Sequence, residues 1–60
     1  MQWYRQDIVN SIDHINEIIN EIEQIQEDIL EEDKDYRSLE ISRLKLIDVK
    51  DELKSIIENK

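Results

Sequence analysis

The chain contains no cysteine, glycine, proline, phenylalanine or alanine. Without cysteine there is neither a disulfide nor a thiolate metal site. Without glycine and proline the usual turn punctuation is missing, so any reversal of the chain is built from residues that can also continue a helix. Apolar runs never exceed two residues, far short of the roughly 20 that a membrane-spanning helix needs. The opening MQWYRQDIVN has no basic region followed by an apolar stretch, so it does not read as a signal peptide. These absences predict a soluble, cytoplasmic protein. Positive charge is also scarce: 8 Lys and Arg stand against 16 Asp and Glu, for a net charge of −8.

With 60 residues the chain forms at most one small domain. Such a chain buries only a modest part of its surface. Small scaffolds complete their cores with disulfides, a metal or self-association, and self-association is the leading route here. The 40 % of charged residues is a level found in disordered chains, but the apolar residues are strongly periodic, which favours folded helix. Twelve isoleucines and no alanine are unlike a designed helical protein, which leans on the best helix former. The wealth of Ile, Asn, Lys, Asp and Glu points to an AT-rich coding sequence, such as that of a low-GC bacterium or of a phage or plasmid living in one.

What is present is an isoleucine ladder. Ile8, Ile12, Ile15, Ile19, Ile22, Gln26 and Ile29 alternate steps of four and three, the a/d pattern of a heptad. Ile18, Ile25 and Leu30 flank this stripe and widen it, as in a helix that touches more than one neighbour. A second stripe runs through Leu39, Ser42, Leu46, Val49, Leu53 and Ile56, with Ile57 beside it. The spacing predicts a helix over about 4–31, a turn over about 32–35 and a helix over about 36–58, all within one hairpin domain, 1–60. Asp33, Asp35 and Ser38 are each able to cap the second helix. A fold centred on residue 34 sets Ile29 opposite Leu39, Ile22 opposite Leu46, Ile19 opposite Val49, Ile15 opposite Leu53 and Ile12 opposite Ile56. It also sets the two polar interruptions, Gln26 and Ser42, opposite each other. The alternative is one continuous helix, but Ile29, Tyr36 and Leu39 break the heptad phase.

The expected fold is therefore all-α: an antiparallel two-helix hairpin that dimerises into a four-helix bundle, since a lone hairpin leaves half of each wide stripe wet. Isoleucine at both a and d also disfavours two-stranded coils. This layout resembles that of the plasmid-encoded Rop family, in which a short hairpin dimerises into a four-helix bundle. The resemblance is one of architecture, without a shared motif, and that family's basic RNA-binding surface has no counterpart here.

The charge is one-sided. Residues 1–32 hold nine acids and one base, whereas residues 33–60 hold seven of each. Asp13, Glu17, Glu21, Asp28 and Glu31 follow one another at steps of three, four or seven, although like charges four apart weaken a helix. They make either a solvated face that keeps the chain soluble or a surface for a basic partner. Direct nucleic-acid binding is not expected, because it needs Lys and Arg to neutralise phosphates. Lys45, Lys50 and Lys54 are expected to pair with neighbouring acids.

Ile41, Leu44 and Ile47 lie off the second stripe, roughly 100–130° or more from its centre. They are either covered by a second protomer or form a docking patch. Trp3 and Tyr4 pose the same choice between covering the end of the bundle and marking a binding hot spot. Catalysis and cofactor chemistry are not expected. His14 is the only histidine, and with Glu17 it has the order opposite to the Glu-x-x-His of di-iron bundles. No serine stands with a base in a nucleophile pattern, and there is no glycine-rich phosphate loop. Neither metal, cofactor, small molecule nor membrane is an expected partner. The leading functional expectation is a small acidic inhibitor of a basic-surfaced protein, with Asp13, Glu17, Glu21 and Asp28 steering and Ile41, Leu44 and Ile47 anchoring. Its target would be a host nucleic-acid-acting or defence protein. The alternatives are a self-assembling scaffold module with no foreign target, and an antitoxin or immunity protein.

Overall fold

The computed structural model describes residues 3–58. Two helices, α1 (Arg5–Glu27) and α2 (Lys34–Glu58), pack against each other as a hairpin. The molecule is a rod of 48 × 15 × 11 Å, a single layer of two helices side by side. The heptad phase break between Ile29 and Leu39 therefore marks a reversal of the chain and not a kink in one long helix.

The connection is longer and earlier than the spacing predicts. Helix α1 stops at Glu27, and six residues, 28–33, form the turn. The reason is electrostatic. Glu27, Asp28, Glu31, Glu32 and Asp33 crowd the C-terminal end of α1, where the helix dipole is negative and carboxylates are unfavourable, and Asp is among the weaker helix formers. The helix tightens as it ends: the Asp28 N–H donates to the Ile25 carbonyl at 3.1 Å and the Ile29 N–H to that of Gln26 at 3.2 Å. Such three-residue bonds absorb carbonyls that would otherwise be orphaned. No described residue has a positive φ, so the reversal is made without a left-handed residue. The Asp33 N–H donates to the Leu30 carbonyl at 3.0 Å, closing a tight turn over Glu31 and Glu32.

Of the three candidate caps, Asp33 is the one that starts α2. Its Oδ1 accepts the Asp35 N–H at 2.8 Å, which satisfies one of the four free donors of a helix start. Asp35 itself lies in the first turn, where a carboxylate favours the positive end of the dipole. Helix α1 begins without this help: Tyr4 precedes it and makes no side-chain capping bond.

The core belongs to α1. Ile12, Ile19, Ile22 and Gln26 are its buried residues, whereas α2 has none. Ile8, Val9, Ile15 and Ile29 are half-buried, and so are Tyr36, Leu39, Glu40, Arg43, Leu46, Ile47, Lys50, Leu53 and Ile57 across from them. The α1 stripe is thus where the spacing predicts it. The α2 stripe is rotated. Ser42, Val49 and Ile56 are exposed, and the residues following each of them, Arg43, Lys50 and Ile57, are turned inward. The register moves with it. Asn16–Lys50, Glu23–Arg43 and Gln26–Glu40 are the cross-helix side-chain pairs, all equidistant from residue 33 instead of 34. The expected meeting of Gln26 with Ser42 does not occur. Gln26 bonds to Glu40 and to the Tyr36 carbonyl, while Ser42 bonds back to the Ser38 carbonyl on its own helix. A pattern that counts only aliphatic residues misses this rotation, because long charged side chains bury their stems along a helix seam while their heads reach water or a partner.

Candidate protein-binding surfaces

The rotation of α2 divides the hairpin into an apolar and a polar side. Ile18, Ile25, Val49 and Ile56 each stand one position before an inward residue: Ile19, Gln26, Lys50 and Ile57. One position is about 100° around a helix. In an antiparallel pair of right-handed helices, a step back from the contact line on either helix leads to the same side. These four residues therefore share one face, with the half-buried Ile15, Leu46 and Leu53 at its floor. Their exposures are alike: 43 % for Ile18, 48 % for Ile25, 46 % for Val49 and 47 % for Ile56. The step forward from the contact line gives Asn20, Glu27, Asp51 and Glu58, with Leu44 the apolar exception, so the opposite side is mainly polar.

A polar cluster near the turn occupies that second side. Gln26, only 7 % exposed, donates its amide N–H groups to the Tyr36 carbonyl at 3.2 Å and to Glu40 Oε1 at 3.1 Å. The Arg43 guanidinium grips both oxygens of Glu40, at 3.3 Å through Nε and 2.6 Å through Nη2. It also reaches Glu23 across the helix pair at 3.6 Å. Charge-assisted and bidentate, these are the strong members of the hydrogen-bond family. Bonds from Arg43 first, then from Gln26, hold the Glu40 carboxyl below its ordinary range. The same contact with Glu40 holds the Arg43 guanidinium further above its own. Glu23, Gln26, Glu27, Tyr36, Glu40 and Arg43 line an open groove of about 380 Å³. Sequence spacing alone passes over this cluster. The signal that finds it is the placement of Gln26 in an isoleucine stripe, with the base Arg43 on the facing helix.

Apart from Glu23, which pairs with Arg43, and Glu27 beside it, the acids of α1 point away from the seam. Asp13, Glu17 and Glu21 are exposed on the outer side of α1, and Asp28 is exposed at the start of the turn. The only ion pairs among the described residues are the two made by Arg43. Lys45, Lys50 and Lys54, expected to pair, make none there, and Lys50 Nζ donates to Asn16 Oδ1 at 3.2 Å instead. Exposed pairs of long side chains gain too little to fix a geometry.

The apolar trio of α2 is divided. Ile47 is half-buried toward α1, while Ile41 and Leu44 stay 54 % and 51 % exposed. They follow Glu40 and Arg43 by one position, which places them away from the Ile18–Val49 face. Trp3 and Tyr4 meet edge to face with ring centroids 5.7 Å apart; Trp3 remains largely exposed. His14 is exposed. Among the described residues no group of three or more His, Asp and Glu could hold a metal ion, and no helix is long and apolar enough to cross a membrane.

Protein-family models, curated proteins and solved structures were compared with this chain, and none matches.

Proposed function

We propose that the chain works by binding protein: it pairs with a second copy as a four-helix bundle and, in the cytoplasm, uses its acidic outer faces to antagonise a basic-surfaced protein. The observation that carries this reading is the division of the hairpin, with a half-exposed aliphatic face on one side and outward acids on α1. A solvated rod has no need of Ile18, Ile25, Val49 and Ile56 in one line. Area supports the second copy. The chain exposes 5012 Å², against about 4,200 Å² for a compact monomer of its mass. The excess of about 800 Å² matches what one partner buries in a standard stable interface. A twin hairpin covering the aliphatic face leaves Asp13 and Glu17 outermost, on both flanks of the bundle, where tandem carboxylates imitate the charge spacing of a nucleic acid. Long-range attraction of this kind raises association rates with a basic groove and weakens with salt.

Two measurements test it. Equilibrium sedimentation should return twice the chain mass, and Ile18→Lys with Val49→Lys should return one. Affinity capture from a low-GC bacterial lysate should retain one stoichiometric protein that rising salt releases and that the Asp13→Lys, Glu17→Lys, Glu21→Lys variant fails to hold. A dimer that captures nothing would favour the second reading, a self-assembling scaffold module, which the same aliphatic face supports.

A further inference from the structure

We infer that the second copy sits with its turn at the same end of the rod, each α1 lying on the other copy's α2, and that a charged rim around the aliphatic face fixes this choice. The inference rests on the pairing proposed above and says how the two hairpins meet. A closed pair of like subunits has a two-fold axis, and two hairpins set face to face leave two directions for it. An axis along the rod keeps the turns together and sets α1 on α2. An axis across the rod sends the turns to opposite ends, with α1 on α1 and α2 on α2. Helices in contact run antiparallel in both.

The aliphatic face does not choose between them. Ile18 and Val49 stand level with each other at its middle, and Ile25 and Ile56 lie toward opposite ends. Ser42 is level with Ile25, and Ser11 with Ile56, so each of these isoleucines meets a serine of the second copy in either arrangement. Neither hydroxyl needs a partner there. Ser11 already donates to the Asp7 carbonyl and Ser42 to that of Ser38, at 3.0 Å each.

The rim does choose. Asp7, His14, Glu21 and Asp28 follow at seven-residue steps, each one position before an inward-turned isoleucine. On α2, Ser38, Lys45 and Glu52 stand in the same way before Leu39, Leu46 and Leu53, and all seven are exposed. Charges at such flanking positions set the orientation of packed helices. With the turns together, Glu21 meets the second copy's Lys45, His14 its Glu52 and Asp28 its Ser38, since each of these pairs is equidistant from residue 33. With the turns apart, His14 meets Glu21 and Lys45 meets Glu52, but Asp7 is set against Asp28, twice over. The whole helices agree with the rim. Helix α1 holds six acids and one base, whereas α2 holds six of each. Turns together set each acidic α1 on a neutral α2; turns apart set the two acidic helices on each other. The acidic turns do become neighbours, but across helix axes about 10 Å apart, more than the Debye length of about 8 Å at physiological salt. Each flank of the bundle then carries Asp13 and Glu17 of one copy, so the pair offers two equivalent acidic surfaces, one per chain.

The chain has no cysteine, so Glu32→Cys takes one spin label per copy. Double electron–electron resonance should give a distance below about 25 Å; labels at opposite ends would lie more than about 40 Å apart, at a rise of about 1.5 Å per residue. Charge exchange reads the rim itself. Glu21→Lys alone and Lys45→Glu alone should each weaken the dimer about tenfold, because each sets like charges opposite one another at two symmetric places. The double variant, with the net charge of the native chain, should recover native affinity by sedimentation. A long distance, or a double variant weaker than either single one, overturns the arrangement and leaves the dimer standing. A native protein that sediments as one chain overturns the arrangement together with the pairing it rests on.

Discussion

Helix α1 and helix α2 are near in length, 23 and 25 residues, and packed on each other, yet they are made in opposite ways. Among the described residues helix α1 owns every buried one, and it carries unbalanced acid. Helix α2 balances its charges, buries nothing fully and is held through its cap, a polar cluster and half-covered aliphatics. The difference shows that burial and register can come from opposite sides of one seam. A clean isoleucine stripe on one helix supplies the burial. A mixed stripe on the other then supplies the rotation and register, through Arg43, Glu40 and Lys50.

Substitutions should separate the two helices in order of size. The largest effect belongs to α1: Ile19→Ala removes buried methyl groups and leaves a cavity, for a loss of about 2–5 kcal/mol. Leu53→Ala on α2, half-covered in the single chain, should lose less than half as much by urea denaturation at fixed protein concentration. Equal losses would mean that the asymmetry of burial does not survive in solution. Next comes the start of α2. Asp33→Ala removes the cap and should cost about 1 kcal/mol, whereas Tyr4→Ala before the uncapped α1 should cost no capping energy. Amide exchange at the first turn of each helix checks this directly.

Smaller and opposite in sign is Gln26→Leu. A buried polar group can cost stability while fixing one register, so this variant should match or exceed the native midpoint of urea unfolding. Its register should slacken, visible as additional cross-helix distances when spin labels are placed on the two helices. A clear drop in the midpoint would show that the amide bonds stabilise more than an apolar replacement.

The least effect comes from pH. Glu40 is depressed in the folded chain relative to its ordinary value of 4.5. Its contribution is fully present above that value and is lost as pH falls through the lower folded value. Toward pH 4.4 the net charge also approaches zero, which relieves the self-repulsion of α1. Thermal stability should therefore rise on acidification from pH 7 and then turn over below about 4.5. In Glu40→Gln the downturn should be shallower, and a native-like downturn in that variant would remove Glu40 from the account.

The hairpin and the core stripe of α1 were legible because isoleucine at steps of three and four has one reading. Asp33 was legible as a cap from its chemistry, although two other residues shared it. The end of α1 was not, since apolar spacing runs on through Ile29 while the dipole and the crowded carboxylates stop the helix first. The face of α2 was not either. Leu39, Leu46 and Leu53 form a stripe consistent with two rotations about one residue apart, and the choice between them rests with charged residues that a hydrophobic pattern discards. Ile47 was displaced for the same reason: the rotation that turns Val49 and Ile56 outward turns Ile47 in. Val49 and Ile56 belong to the expected stripe and are exposed in the single chain.

The turn has one more consequence. Because none of its residues needs a left-handed backbone, any L-amino acid except proline can stand at most of its positions without stereochemical penalty. Only Asp33 is held there by geometry. What holds Asp28, Glu31 and Glu32 in place is the charge that ends α1 and not backbone shape, so the acidity of this loop is itself part of how the hairpin is made.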